Sequence, residues 1–423
     1  MKIEMIKSAG DLVLKKNAVS DDTILKKVAG IIEDVKLNGD SALYRYTELF
    51  DNVKLTGSIR VSETEISEAL KTTSSEFKSI LNKIIINIET YQKNTAPKSW
   101  VIENDGALLG ELVNPIENAG LYIPGGTAPL ISTILMSAIP AKIAGVKNIY
   151  LCSPPDKTGK INKYMLAAAS MCGVSGIFKI GGSQAVAAFA YGTESVPKVD
   201  KIIGPGNIFV TAAKKLVYGD VNIDMIAGPS EILIFCDDSA NPDLVIADLL
   251  SQAEHDVMAS SYLVTTSKKI AERVSSEIYN SASKLPRYKF IEKSLRNNSR
   301  IFLTDNQETA IDVINKIAPE HLELCISNPE SVINKIRNAG AIFLGNYTPE
   351  PVGDYFAGPS HILPTSGTSR FYSPVSADTF IKKTSLISYS KEKFLKSADD
   401  IIKFAEIEEL CAHADSVKKR LTV

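Results

Sequence analysis

The sequence predicts an α/β protein made of two consecutive doubly wound, Rossmann-like units, with a helical N-terminal region before them and a small helical C-terminal arm after them. Three observations predict it. From about residue 119, short apolar runs rich in β-branched residues alternate with helix-length amphipathic stretches, the pattern of a parallel sheet covered on both faces. The series then restarts near residue 230. At 423 residues the chain is also long enough for more than one hydrophobic core.

In chain order, residues 1–20 read as a short arm. Ile24, Val28, Ile31, Ile32, Val35, Leu43 and Tyr46 recur at helical spacing over 21–50, interrupted at Asn38-Gly39-Asp40. A second helical stretch, 62–92, opens with Ser62 and Glu65 at capping-box spacing. The region 21–118 is therefore expected to be helical and to pack on the second α/β unit. The first unit, 119–229, has strands predicted at 120–123, 148–152, 176–180 and 199–203, with helices at 130–144, 160–172 and 184–191. The second, 230–380, has strands at 232–235, 261–264, 301–303 and 341–344, with helices starting at 242, 269 and 308. The arm, 381–423, is charged and helical from 391. Open sheets of this kind bind ligands at the carboxyl ends of their strands, so the crevice between the two units is the expected active site.

Composition excludes several function classes. Lys and Arg number 47 against 49 Asp and Glu, a net charge of −2, which gives no basic surface for nucleic acid or an anionic membrane. Apolar runs such as 130–142 are interrupted before the roughly 18 residues of a membrane span. Met1-Lys-Ile-Glu-Met-Ile-Lys7 has no export-signal pattern, so a cytoplasmic protein is expected. The five cysteines, Cys152, Cys172, Cys236, Cys325 and Cys411, include no C-x-x-C pair and read as reduced thiols. Cys152 and Cys236 stand in apolar runs and are expected to be core residues rather than nucleophiles.

Three loops, at 123–127, 180–184 and 204–207, are rich in Gly or Pro, follow strands and lead into helices. Their backbone N–H groups either meet phosphate or simply make tight turns, and none matches G-x-G-x-x-G. A nicotinamide cofactor is compatible with them. The four histidines supply sharper chemistry. Asn241 and Pro242 start a helix in which Gln252 and His255, three residues apart, project from one face. Glu320 and His321 set a carboxylate beside an imidazole just after Pro319, and either group suits a general base. A glycine- and proline-rich loop carries Asp354 and His361, and Glu408 and His413 stand in the terminal helical arm. Should Gln252, His255, Asp354 and His413 converge, they form a mixed nitrogen and oxygen site of the kind zinc accepts.

These residues sit in a set of motifs: Gly120-Leu-Tyr-Ile-Pro-Gly-Gly126, Gly204-Pro-Gly-Asn207, Gly228-Pro-Ser-Glu231, Leu249-Leu-Ser-Gln-Ala-Glu-His255, Ala318-Pro-Glu-His-Leu-Glu323, Gly353-Asp354 and Ser360-His-Ile-Leu-Pro-Thr365. With Asn38-Gly-Asp-Ser-Ala-Leu43, Thr47-Glu-Leu-Phe-Asp51, Glu408 and His413, the sequence resembles the histidinol dehydrogenase family over essentially its whole length. The resemblance implies a zinc- and NAD-dependent oxidation of L-histidinol through the aldehyde to L-histidine, the last step of histidine biosynthesis. It implies Gln252, His255, Asp354 and His413 as zinc ligands, and Glu320 and His321 as the acid/base pair. Tyr122, Gln184 and Asn207 are implied for NAD, and Ser230, His361 and Glu408 for the substrate, along with His321 and the metal ligands. It also implies a homodimer whose C-terminal arm, with Glu408 and His413, enters the partner's site.

Overall fold

The computed structural model of the chain describes residues 1–13, 22–125 and 129–422. It opens with strand β1 (Lys2–Ile6) and helix α1 (Asp22–Asp51). Gly39 kinks α1 at φ 49° and ψ −132°, where the break was expected. A Cβ at Gly39 would lie 2.3 Å from the Glu194 carboxylate, which accepts a hydrogen bond from the Asp40 N–H at 2.7 Å. The 62–92 stretch is two helices, α2 (Glu63–Thr72) and α3 (Ser75–Gln92). Ser62 and Glu65 form the capping box of α2, and Ser74 caps α3. Strands β2 (Trp100–Asn104) and β3 (Ala107–Pro115) come next, neither of them expected from the sequence.

The first α/β unit comprises β4 (Asn118–Tyr122), α4 (Ile131–Ala144), β5 (Asn148–Cys152), α5 (Lys163–Cys172), β6 (Gly176–Phe178), α6 (Gly182–Tyr191), β7 (Lys201–Ile203), α7 (Ile208–Val217) and β8 (Asn222–Ile223). The second comprises β9 (Glu231–Cys236), α8 (Pro242–Ala253), β10 (Ser260–Thr265), α9 (Lys268–Ala282), α10 (Tyr288–Asn297), β11 (Arg300–Thr304), α11 (Gln307–Ile317), β12 (His321–Cys325), β13 (Ala341–Leu344) and the short α12 (Glu350–Tyr355). The chain ends with β14 (Ile381–Tyr389), α13 (Lys391–Ile407) and α14 (Cys411–Arg420).

Both main sheets are parallel and doubly wound. The first has the order β6-β5-β4-β7-β8 and the second β1-β11-β10-β9-β12-β13. Winding therefore reverses between β4 and β7 in one sheet and between β9 and β12 in the other. The N-terminal segment expected as an arm is in part an edge strand: Lys2 to Ile6 pair with Arg300 to Thr304. Residues 14–20 of that expected arm lie outside the described residues, as do 126–127 of the first glycine loop.

The helices α1 to α3 cover the first sheet's unit, not the second as expected. Val28, Ile32, Val35 and Leu43 share a core with Val186, Phe189 and Val210, while Ala69, Leu81 and Ile88 join Leu135, Met136 and Leu166. The physical reason lies in the covering helices of that sheet. α6 (Gly-Ser-Gln-Ala-Val-Ala-Ala-Phe-Ala-Tyr) and much of α4 are apolar all round and fully buried, so they need a further layer outside them. Cys152 and Cys236 are buried free thiols, and burial pushes the Cys236 thiol up to about 12, which suits core packing rather than nucleophilic work.

The chain divides into two compact bodies, residues 1–95 with 116–380, and residues 96–115 with 381–423. The smaller body pairs β14-β3-β2 into an antiparallel sheet and adds α13 and α14. Among its described residues the buried apolar ones are Ala107, Ala398, Ala405 and Ala414, while Trp100, Ile102, Ile387, Phe404 and Ile407 are each more than half exposed. No helix among the described residues is long and apolar enough to cross a membrane.

One buried ion pair fixes the loop after β7. Lys214 pairs with Asp224, both nearly inaccessible; Lys214 Nζ also donates to the Gly204 carbonyl at 3.0 Å, and the Gly204 N–H donates to Asp224 at 2.8 Å. Gly204 has φ 122°, and a Cβ there would meet the Tyr122 carbonyl oxygen at 2.1 Å, so no other residue fits. Lys214→Met strands a buried carboxylate and is expected to cost about 3–5 kcal/mol of unfolding free energy. Urea unfolding at one protein concentration checks this, with Lys214→Met/Asp224→Leu regaining most of the loss. A single-variant loss no larger than that of an ordinary surface substitution contradicts it.

Candidate active site

The proposed catalytic pair enters on the second sheet. α11 ends at Ala318 in the left-handed conformation (φ 54°), Pro319 stops the helix, and Glu320 leads straight into β12 at His321. His321 lies opposite Ile232 on β9, one residue beyond Glu231, so the pair sits at the amino ends of two adjacent central strands. This corrects the expectation that ligand chemistry lies only at carboxyl ends. The carboxyl ends of the first sheet carry the other set: Tyr122 ends β4, Gln184 lies in the first turn of α6, and Asn207 caps α7.

The pair is dry and crowded with charge. Glu320 Oε2 accepts the Glu231 N–H at 2.9 Å, and the His321 Nδ1–H donates to the Glu231 carbonyl at 3.3 Å. That leaves His321 Nε2 buried with no hydrogen-bond partner, 3.7 Å from Asp354 Oδ1. Glu320 Oε2 and Glu350 Oε1 each lie 3.8 Å from His321 Nδ1. Burial pushes Glu320 up to about 8 despite the favourable imidazole beside it. Burial opposes charge on His321, but Glu350, Glu320 and Asp354 outweigh it and raise the ring to about 10. Burial likewise works against the Asp354 carboxylate, yet His321, His361 and His255 hold it below its ordinary range.

Beside this pair, side-chain atoms of His255, Glu350 and Asp354 all lie within 4.8 Å of one another, a donor set that fits zinc. Gln252, wholly buried at the end of α8, has neither amide atom hydrogen-bonded, so its carbonyl oxygen is free to act as a ligand. α8 stops at Ala253, two residues short of the expected span. His255 stands in the turn beyond it, its N–H on the Gln252 carbonyl at 3.2 Å, so helical spacing is not what aims the ring. Glu350 was not singled out from the sequence. It stands four residues before Asp354, i and i+4 on α12, and its N–H is held at 2.8 Å by Glu323, which shares a face of β12 with His321. Those two spacings are the signals that reveal it.

The remaining candidates divide. His361 is half-buried, with Nδ1 3.1 Å from the Asp354 carbonyl oxygen. Ser230 directly precedes β9. The Tyr122 hydroxyl accepts from the Gly182 N–H at 3.1 Å, Gln184 is buried with both amide atoms unpartnered, and Asn207 Oδ1 accepts from the Phe209 and Val210 N–H groups at 3.0 and 3.1 Å. Glu408 caps the end of α13 and His413 lies on α14; both are exposed and both belong to the smaller body, outside the cluster of His255, Glu350 and Asp354.

Two doubly wound parallel sheets carry a buried imidazole and carboxylate pair next to a nitrogen and oxygen donor cluster, the arrangement of an α/β enzyme suited to metal-assisted proton-transfer chemistry. The family model described as histidinol dehydrogenase matches residues 14–421. A histidinol dehydrogenase of Caldanaerobacter subterraneus subsp. tengcongensis is 50% identical over 409 residues, covering 96% of this chain and 95% of that one, and one of Clostridium acetobutylicum is 50% identical over 398 residues, covering 94% and 92%. The crystal structure of histidinol dehydrogenase from Elizabethkingia anophelis superposes with a TM-score of 0.95 at 42% identity, covering all of this chain and 98% of that one. The chain belongs to the histidinol dehydrogenase family.

Proposed function

We propose that the protein oxidises L-histidinol through L-histidinaldehyde to L-histidine, reducing two NAD per turnover, as the last step of histidine biosynthesis. The observation that carries this reading is the buried Glu320 and His321 pair beside a zinc-compatible donor cluster. Gln252, His255 and Asp354, joined by His413, are the metal ligands in this reading, and Tyr122, Gln184 and Asn207 line the NAD site. The four ligands would hold a zinc ion that supplies a template for the substrate's nitrogens, and bound NAD would supply the hydride acceptor.

His321 in its neutral form takes the hydroxyl proton on Nε2, a state that a cation held at Asp354 would favour by offsetting the carboxylate charge that otherwise raises the ring, while the Glu231 carbonyl holds Nδ1–H and fixes the ring. Glu320 then takes a proton from the water that adds to the aldehyde while His321 returns its proton to the carbonyl oxygen, and His321 takes the hydrate's hydroxyl proton as the second hydride leaves. Ser230, His361 and Glu408 complete the substrate pocket, the Glu408 carboxylate accepting a hydrogen bond from the N–H of the substrate's imidazole. Glu408 and His413 act in the partner's site. The exposed apolar surface of the smaller body and its alanine-only core support a second copy covering it.

The test is NADH absorbance on mixing protein, NAD and L-histidinol with and without a chelator. Two NADH per histidinol, abolished by chelation and restored by zinc, is the expected result. No NADH from folded, zinc-loaded protein defeats the assignment.

A further inference from the structure

We propose that Thr133, on α4 of the first α/β unit, is a positioning residue for the metal cluster, because its hydroxyl fixes the imidazole of His361 and that imidazole holds the backbone of Asp354. The inference rests on the reading of Asp354 as a zinc ligand. A carbonyl oxygen only accepts, so the 3.1 Å contact between His361 Nδ1 and the Asp354 oxygen places the ring proton on Nδ1. With its one proton on Nδ1, the ring carries a lone pair on Nε2. Thr133 Oγ1 lies 3.2 Å from Nε2 and donates to it. Both ring nitrogens are thereby committed. His361 contributes by aiming Asp354, and any contact it makes with substrate is through its carbon edge.

The helix side of this link is rigid. Thr133 is almost inaccessible, and its own carbonyl accepts from Ser137 Oγ at 2.6 Å. One turn further along α4 the Met136 carbonyl accepts from Ser360 Oγ at 3.2 Å, so two adjacent residues of the 360–361 segment are tied to one face of α4. α4 follows the glycine loop after β4, where NAD is proposed to bind, while Asp354 belongs to the second α/β unit. One hydroxyl therefore joins the cofactor side to the metal side. A valine at 133 keeps the shape and removes the donor. Nε2 then loses its hydroxyl partner, and the ring is no longer fixed at both nitrogens as it holds the Asp354 carbonyl.

The experiment is a zinc dissociation constant from chelator competition, without substrate or NAD, on the wild-type protein, Thr133→Val and Thr133→Ser. The NAD dissociation constant is measured on the same preparations. Thr133→Val is expected to weaken zinc binding by about tenfold, the range seen when a ligand's supporting hydrogen bond is lost, and to leave NAD binding unchanged. Thr133→Ser, which keeps the hydroxyl, restores zinc binding to near wild type. Equal zinc affinity in Thr133→Val and wild type overturns the proposal, as does equal weakening in Thr133→Val and Thr133→Ser, or parallel loss of zinc and NAD. Should the valine variant not fold, Thr133→Ala gives the same comparison. A wild-type protein that takes up no zinc defeats the ligand assignment instead, so the two failures are distinguishable.

Discussion

Replacing His321 with asparagine is expected to lower NADH formation from histidinol by roughly 10²–10⁴-fold, the usual worth of a positioned general base. Asparagine keeps a donor toward the Glu231 carbonyl, and that residue is already held by its pairing opposite Ile232, so the strand and the neighbouring Glu320 stay in place. What is lost is the ring nitrogen that has no hydrogen-bond partner and lies 3.7 Å from Asp354 Oδ1. Glu320→Gln is expected to behave differently. It still accepts the Glu231 N–H through its amide oxygen, and it spares the first hydride transfer. It removes the base that hydrates the aldehyde, so rapid mixing gives about one NADH per site before the reaction stalls.

The pH profile separates the two roles further. Glu320, pushed up to about 8 by burial, is a carboxylate only above that value, so the limb it controls rises with pH toward 8 and disappears in Glu320→Gln. Stopped-flow absorbance on both variants decides the matter. A His321→Asn protein that turns over within tenfold of wild type, or a Glu320→Gln protein that delivers both NADH at the wild-type rate, removes the corresponding residue from the mechanism.

The alternation of strands and helices was readable because each element carries its own signal. β5 and β13 begin and end where their apolar runs do, and Asn241 and Pro242 open α8 as cap and first residue. What escaped depends on distant partners. The five residues of β1 become a strand by pairing with β11, almost three hundred residues away, and only Ile6 is buried in it. β3 pairs with the distant β14, Pro115 opposite Ile381, whereas β2 and β3 form a local hairpin whose Asp105-Gly106 turn, both residues at positive φ, was the available signal; all three strands bury little, so no period-2 apolar face marks them. The helical spacing of α1 revealed its apolar stripe but not which sheet receives it, although the all-round apolar α6 was a clue.

At the site, residue types were legible and geometry was not. His255, Asp354, Glu320 and His321 draw notice as scarce ionisable groups in unusual contexts. Glu350 looked like one more surface carboxylate. Its burial depends on Glu323 reaching the N–H that starts α12, a contact between β12 and a helix 27 residues later that no local pattern encodes. The same holds for Thr133, an unremarked helix residue until the 360–361 segment is laid across α4.

Glu408 and His413 raise a question of a different kind, and mixing two inactive proteins answers it. Both residues are exposed in the smaller body, whose own core is four alanines and whose surface carries Trp100, Ile387, Phe404 and Ile407. A surface so rich in exposed apolar residues suits a partner, and the proposed second copy, related by two-fold symmetry, would cover both arms at once. If each site takes His321 from one subunit and His413 from the other, His321→Asn and His413→Ala are each inactive as homodimers. A heterodimer carries both lesions in one site and neither in the other. Unfolding the two variants together and refolding them from an equal mixture is then expected to restore roughly a quarter of wild-type activity, since half of the dimers are mixed and each has one intact site. If His413 acts within its own chain, every site carries one lesion and no activity returns, whatever the oligomeric state. Wild-type protein refolded the same way guards against a simple failure to refold. The recovery cannot come from either variant alone, so even a small return of NADH formation above both parents assigns the arm to the partner's site.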